Sequence, residues 1–115
     1  MKIGHIELFV KDTSASKDFF CNVLGFKLEA DQGVNKWVKL GNMEILLKTG
    51  ENTSNKPNYQ SAESGIVFYT DNLEKKSKEL ESRGLIFKGT DGSPDCLTFM
   101  DIDGHWFQLV NPDHA

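Results

Sequence analysis

The 115 residues carry 38% hydrophobic and 26% charged side chains with ten Gly and three Pro, the composition of a single folded globular domain rather than a disordered or fibrous chain. Thirteen Lys plus Arg against seventeen Asp plus Glu leave a net charge of −4 with no basic run, which argues against nucleic acid or an anionic membrane as partner. Cys21 and Cys96 form no C-x-x-C pair and no zinc-like spacing, so a reducing cytoplasm is expected, and neither the start, Met1 to His5, nor any later stretch has the apolar run of a signal peptide or membrane span.

Lys2 to Val10 alternates polar and apolar side chains with β-branched and aromatic members, the pattern of a half-buried strand. Asp12 and Thr13 then offer N-cap oxygens to an amphipathic helix of about three turns, in which Ala15, Phe19 and Val23 recur at fourfold spacing beside Phe20 and Leu24 and Gly25 supplies the stop. Phe26 to Ala30, Lys36 to Leu40 and Met43 to Lys48 read as short strands, parted by the turns Asp31-Gln32-Gly33 and Gly41-Asn42. Thr49 to Ala62 is Gly, Asn, Ser, Pro and charge without periodicity, and reads as a linker.

The order then restarts. Ser64 to Thr70 is strand-like, Asn72 caps a helix from Leu73 to Arg83, and Gly84 ends it. Ile86 to Lys88, Leu97 to Met100 and Trp106 to Val110 follow as strands, with Asp91-Gly92-Ser93-Pro94 and Asp101-Ile102-Asp103-Gly104 as turns. His5 falls on Gly65 and Asp12 on Asn72, sixty positions on in both cases, a period too long and too few in copies for a solenoid. The expected fold class is α+β, with two β-α-β-β-β modules, 1–48 and 63–112, joined by a linker at 49–62 within one domain spanning 1–115.

Three segments carry a resemblance to a known family. His5-Ile6-Glu7-Leu8-Phe9-Val10-Lys11-Asp12 resembles an opening strand, Phe19-Phe20 with Val23-Leu24-Gly25-Phe26 an F-Y-x-x-x-L-G-F helix end, and Phe99 to Val110 a closing F-x-D-P-D-G-x-x-x-E-L. Together, in order, they resemble the vicinal oxygen chelate superfamily, which contains glyoxalase I, bleomycin-resistance proteins and extradiol dioxygenases. The resemblance implies a cup made from the two curled sheets, with four inward metal positions that fall here on His5, Glu44, Gly65 and Gln108. Imidazole and carboxylate suit zinc, nickel, iron or manganese. The amide of Gln108 is a weaker donor, and Gly65 has no donor at all. On this pattern, changing Gly65 to His and Gln108 to Glu is expected to create metal binding.

Strand alternation sets Glu7 and Phe9 on the His5 face, turns Glu44 and Leu46 away from Met43 and Ile45, and places Tyr69 with Val67 and Trp106 with Gln108. Trp37 is a candidate wall residue. The expected ligand contacts are thus His5, Phe9, Trp37, Leu46, Tyr69, Trp106 and Gln108, with Glu44 and Glu7 as candidate catalytic carboxylates and His5, Glu44 and Gln108 as ligands if a metal is bound. Aromatic walls with few polar points describe a site for a small, partly planar organic molecule. The leading expectation is a metal-free binding protein of the bleomycin-resistance kind, working as a homodimer, with no cofactor. The alternative is a metal-dependent glyoxalase-type lyase or isomerase, or a dioxygenase-like enzyme, using His5 and Glu44; a metal-free base, Glu7 or Glu44 with a pKa raised by an apolar cup, is a further one. Asp101 to Gly104 lacks the remaining ligands of a calcium loop and reads as a turn; His105 belongs to it, and the two thiols read as packing residues.

Overall fold

Asp12 closes the first strand and opens the first helix with one side chain: its Oδ1 accepts from the backbone N–H groups of Ser14 at 2.9 Å and Ala15 at 3.1 Å, two of the donors that a helix start leaves unpaired. The computed structural model describes residues 1–51 and 55–114. The chain divides into two compact units, Met1–Asn52 and Thr53–Ala115.

In the first unit, β1 (Ile6–Val10), β2 (Lys27–Gln32), β3 (Asn35–Leu40) and β4 (Met43–Thr49) form a sheet of order β1-β4-β3-β2, with β1 parallel to β4 and the other pairs antiparallel. The strand expected from Lys2 begins at Ile6, and β4 runs one residue past Lys48. Helix α1 (Thr13–Asp18) passes into a π-helical turn at Phe19–Val23, where an uninterrupted α-helix was expected. The wider turn closes with the Leu24 N–H donating to the Phe19 carbonyl at 3.2 Å, and Gly25, at φ +84°, ends it in a conformation that glycine adopts without steric cost. Phe20 is wholly buried and meets Phe26 edge to face at 5.2 Å. Val10, Val38, Ile45 and Leu47 share this core, so α1, which packs on β3 and β4, covers one face of the sheet.

In the second unit, β5 (Ile66–Tyr69), β6 (Cys96–Met100) and β7 (Trp106–Val110) pair in the order β5-β7-β6, with β5 parallel to β7 and β6 antiparallel to it. Helix α2 (Leu73–Ser82) is capped by Asn72, whose Oδ1 accepts from the Lys75 N–H at 3.0 Å. The core is a stack of near-parallel rings, Phe68 on Phe107 at 5.8 Å and Phe107 on Phe99 at 5.3 Å. The strand expected at Ile86 to Lys88 is reduced to irregular pairing: Lys88 N–H donates to Thr98 O, Thr98 N–H donates to Gly89 O, and Thr90 bridges Leu97. Gly89 at φ +88° and Gly92 at φ +75° bend the chain away from a regular ladder. With this edge, the fold is α+β and repeats a βαβββ-type plan.

Residues 52–54 of the expected linker lie outside the described residues. The remainder includes a short 3-10 helix, Tyr59–Ser61, where Asn58 Oδ1 accepts from the Ser61 N–H at 2.9 Å. Among the described residues, no helix is long and apolar enough to cross a membrane.

Candidate functional site

Each sheet has one face packed on its helix and one face turned away from it. In the first unit the register sets Glu7, Leu46 and Trp37 side by side on β1, β4 and β3, followed by Phe9 beside Lys48 and Lys39 beside Glu44. Directly paired residues share a face, so this open face holds every candidate residue of the first unit. His5 precedes β1 and leans over it. Its ring meets Trp37 edge to face with centroids 4.7 Å apart, and its Nε2 lies 2.8 Å from Glu7 Oε2. An ionised carboxylate only accepts, so Nε2 carries the proton of this bond, and in a neutral ring Nδ1 is the nitrogen with a free lone pair. Lys48 Nζ stands 3.5 Å from the other oxygen, Oε1, and Trp37 Nε1 donates to Gln32 Oε1 at 3.4 Å.

The hydrogen bond from His5, helped by the charge of Lys48, holds the Glu7 carboxyl below its ordinary value despite some desolvation. This is the opposite of the direction expected for a base in an apolar cup. Phe9 is 47% exposed and Leu46 is buried.

In the second unit the open face carries Val67 and Tyr69 on β5, both exposed, and Trp106 and Gln108 on β7, both buried. Parts of the same unit lie over β7. Trp106 donates through Nε1 to the Lys56 carbonyl at 3.2 Å and meets the Tyr59 ring edge to face at 6.4 Å. Gln108 Nε2 donates to Asp91 Oδ2 at 3.2 Å, while Asp91 Oδ1 accepts from Gln60 Nε2 at 3.0 Å, which also donates to the Thr90 carbonyl. The Tyr59 ring lies over Gly65: a Cβ built on that glycine falls 2.6 Å from Tyr59 Cζ and nearer still to its hydroxyl.

These contacts decide how the donor set suits the divalent metal of the resemblance. Glu44 and His5 lie on the open face of the first sheet, and with Nε2 bonded to Glu7 only Nδ1 of His5 is left as a donor, so this unit offers two donors at most. In the second unit, Gly65 is donorless and its space is filled by the Tyr59 phenol, while the amide of Gln108 is tied to Asp91. No group of three or more His, Cys, Asp or Glu among the described residues is arranged to hold an ion. A catalytic metal ordinarily keeps three protein ligands and an open position, and these residues do not fit one.

Tyr59, Gln60 and Asp91 were not recognisable as site residues in the sequence, because they sit in segments without periodicity. The signal was a single Tyr inside an otherwise polar stretch. Lys48 was legible, two positions after Leu46 on the same face. Asp101 does close a turn: its Oδ1 accepts from the Asp103 and His105 N–H groups and its Oδ2 lies 2.7 Å from His105 Nδ1.

Two open-faced sheets in a duplicated βαβββ-type plan define a class. The chain belongs to the glyoxalase/bleomycin resistance protein/dioxygenase superfamily, whose family model matches residues 2–109. It is 26% identical to lactoylglutathione lyase from Schizosaccharomyces pombe across 96% of this chain and 47% of that protein. It thus spans about half the length of this curated relative. Among solved structures it is similar to the fosfomycin resistance protein FosX from Listeria monocytogenes complexed with Mn(II) and sulfate (TM-score 0.77, 18% identity, 96% of this chain and 89% of that one). It is also similar to TnmS3, an antibiotic binding protein from Streptomyces sp. CB03234 (TM-score 0.69, 25% identity, 97% and 98%), and to lactoylglutathione lyase from Agrobacterium tumefaciens (TM-score 0.73, 16% identity, 98% and 95%).

Proposed function

We propose that the chain is a binding protein for a small, partly planar organic molecule, held on an open sheet face without a tightly bound metal. The observation that carries this reading is Tyr59 over Gly65: aromatic surface stands where the family pattern asks for a metal ligand. In the first unit His5 and Trp37 supply two polarisable rings set edge to face, against which a ring can pack, with Phe9 and Leu46 beside them; in the second unit Tyr69 is the exposed aromatic side chain. The likeness to an antibiotic binding protein at 25% identity supports the same reading. Calorimetric titration with planar aromatic compounds, alongside elemental analysis of protein purified without chelator, tests it. Saturable binding by protein carrying well under one metal per chain is the expected result; about one zinc, nickel, iron or manganese per chain, lost when His5 or Glu44 is mutated, overturns it.

The second reading is a metal-dependent lyase with Glu44 or Glu7 moving the proton. It is favoured by the lactoylglutathione lyase relative and by the shared face of His5 and Glu44, and lactoylglutathione lyase activity that is lost on chelation would establish it. We place the protein in the cytoplasm, as a single domain that pairs into a homodimer with two equivalent sites. Sedimentation showing only monomer at micromolar concentration would remove the homodimer.

A further inference from the structure

Lys27 and Lys39 are direct partners on the antiparallel strands β2 and β3. They lie on the open face, because the next pair, Leu28 with Val38, puts the buried Val38 on the helix side. Like charges placed opposite each other across a strand pair are destabilising. Neither ammonium has an ion-pair or hydrogen-bond partner among the described residues, although Glu44 is the cross-strand partner of Lys39 on the other side. Both lysines line one cavity of about 400 Å³, together with Gly25, Leu40 and Gly41. Glu29 also lines it, as the extra residue where the register shifts between Leu28 and Ala30, and it is paired with neither lysine.

On β3, Lys39 follows Trp37 by two residues on the same face, a separation of about 7 Å at the rise of an antiparallel strand. The oxygens of a carboxylate at the edge of a fused bicyclic ring system stand about 5 Å from its centre, and a charge-assisted hydrogen bond of about 2.8 Å completes the span to an ammonium. A flat molecule packed on Trp37 beside His5 therefore brings an acidic substituent to the two lysines.

We infer that Lys27 and Lys39 form an anion subsite beside Trp37, and that the ligand of this face is a flat aromatic molecule bearing a carboxylate or a comparable anionic group. This rests on the binding reading above and names its ligand class. Bound between the lysines, the anion also removes their mutual repulsion. Charge-assisted hydrogen bonds to a carboxylate are roughly twice as strong as neutral ones.

The test compares 2-naphthoate with 2-naphthamide, which share a ring system and differ in charge, by isothermal titration of the full chain and of the Lys27→Gln/Lys39→Gln double variant. Lys75→Gln/Lys88→Gln, which removes two exposed charges from the second unit, serves as a control for net charge. The expected result is that naphthoate binds about tenfold more tightly than naphthamide to the natural chain, a difference of one decade of affinity. The double variant should bind the two alike, and the control should keep the preference. In the absence of ligand the double variant should also melt no lower than the natural chain, since it loses a repulsion; that reading shows the variant is folded. Equal affinity for both probes in the natural chain, or a preference that survives in the double variant, overturns the subsite while leaving the aromatic binding reading in place. Saturable binding of neither probe overturns both.

Discussion

The phenol of Tyr59 occupies the space that any side chain on Gly65 would need, with a Cβ there falling 2.6 Å from Cζ and 2.8 Å from Cε1. The ring has little freedom to retreat, because Asn58 caps its turn and Gln60 ties the next residue to Thr90 and Asp91. Gly65→Ala should therefore cost about 1–3 kcal/mol, the usual range for overpacking, and Tyr59→Ala in the same chain should remove most of that cost. Urea unfolding of the two single variants, the double variant and the natural chain closes the cycle. A Gly65→Ala change within about 0.5 kcal/mol of the natural chain, the level of a neutral surface substitution, would show that the ring swings aside freely. The same contact alters what the family pattern suggests: Gly65→His with Gln108→Glu should take up manganese only when Tyr59→Ala is added.

The two tryptophans should separate by role. Trp37 is half-buried on the open face against His5, whereas Trp106 is 4% exposed under Tyr59 and the Lys56 carbonyl. Trp37→Ala should weaken binding of a flat aromatic ligand by at least about 1 kcal/mol, the threshold for an anchoring side chain, with little loss of stability. Trp106→Ala should instead cost about 3–5 kcal/mol of folding free energy, as for other large buried aromatics. Titration calorimetry and denaturant melts on both variants check this, and a Trp37→Ala protein that binds normally removes the stacking role.

The repeated plan, the helix caps at Asp12 and Asn72 and the facing of His5, Glu7, Glu44 and Leu46 were all legible in the sequence, because each follows from a period of two or from a cap residue next to a periodic run. Phe19, Phe20 and Val23 marked the first helix but not its π turn, since fourfold spacing does not distinguish an α turn from one widened by a residue. The cover over β7 was hidden for a different reason. Tyr59, Gln60 and Asp91 reach Gly65 and Gln108 from irregular segments, where contacts depend on tertiary placement and not on spacing. Gly65 read as an empty ligand position; the side chain that fills it lies six residues earlier, in a stretch that resembled linker.

The pair formed by His5 and Glu7 makes a pH prediction whose sign is fixed. The carboxyl is held below its ordinary 4.5 chiefly by the hydrogen bond from His5 and then by Lys48, so the interaction favours the folded state above that ordinary value and is lost as pH falls through the lowered one. Carbon-detected titration of the Glu7 carboxyl should give a midpoint below 4.5 in the natural chain, and His5→Ala should move it upward. Both groups are on the surface, so salt should shrink the difference. A midpoint at the ordinary value in the natural chain, or one indifferent to His5→Ala, would show that the pair does not persist in solution.

Gln108 makes the last prediction, because its neutral amide is what lets it lie against Asp91. Nε2 donates to Asp91 Oδ2 at 3.2 Å, and Gln108 is only 7% exposed. Gln108→Glu replaces that donor by a second carboxylate, so two acids compete for a poorly hydrated space and one of them must be neutralised or pushed out. The pair then has one pKa raised above its unfolded value. Its stabilising, protonated state is present below that unfolded value and is lost as pH rises through the raised one. At neutral pH the variant should accordingly be about 1–3 kcal/mol less stable than the natural chain, the range for breaking a buried hydrogen bond, and the gap should narrow as the pH is lowered toward 4.5. Adding Asp91→Asn, which restores a donor opposite the new carboxylate, should recover most of the loss at pH 7. Chemical unfolding of the three proteins at both pH values decides it: a Gln108→Glu gap that is unchanged with pH, or that Asp91→Asn does not reduce, would mean the cost comes from another contact of residue 108 and that Asp91 does not hold it.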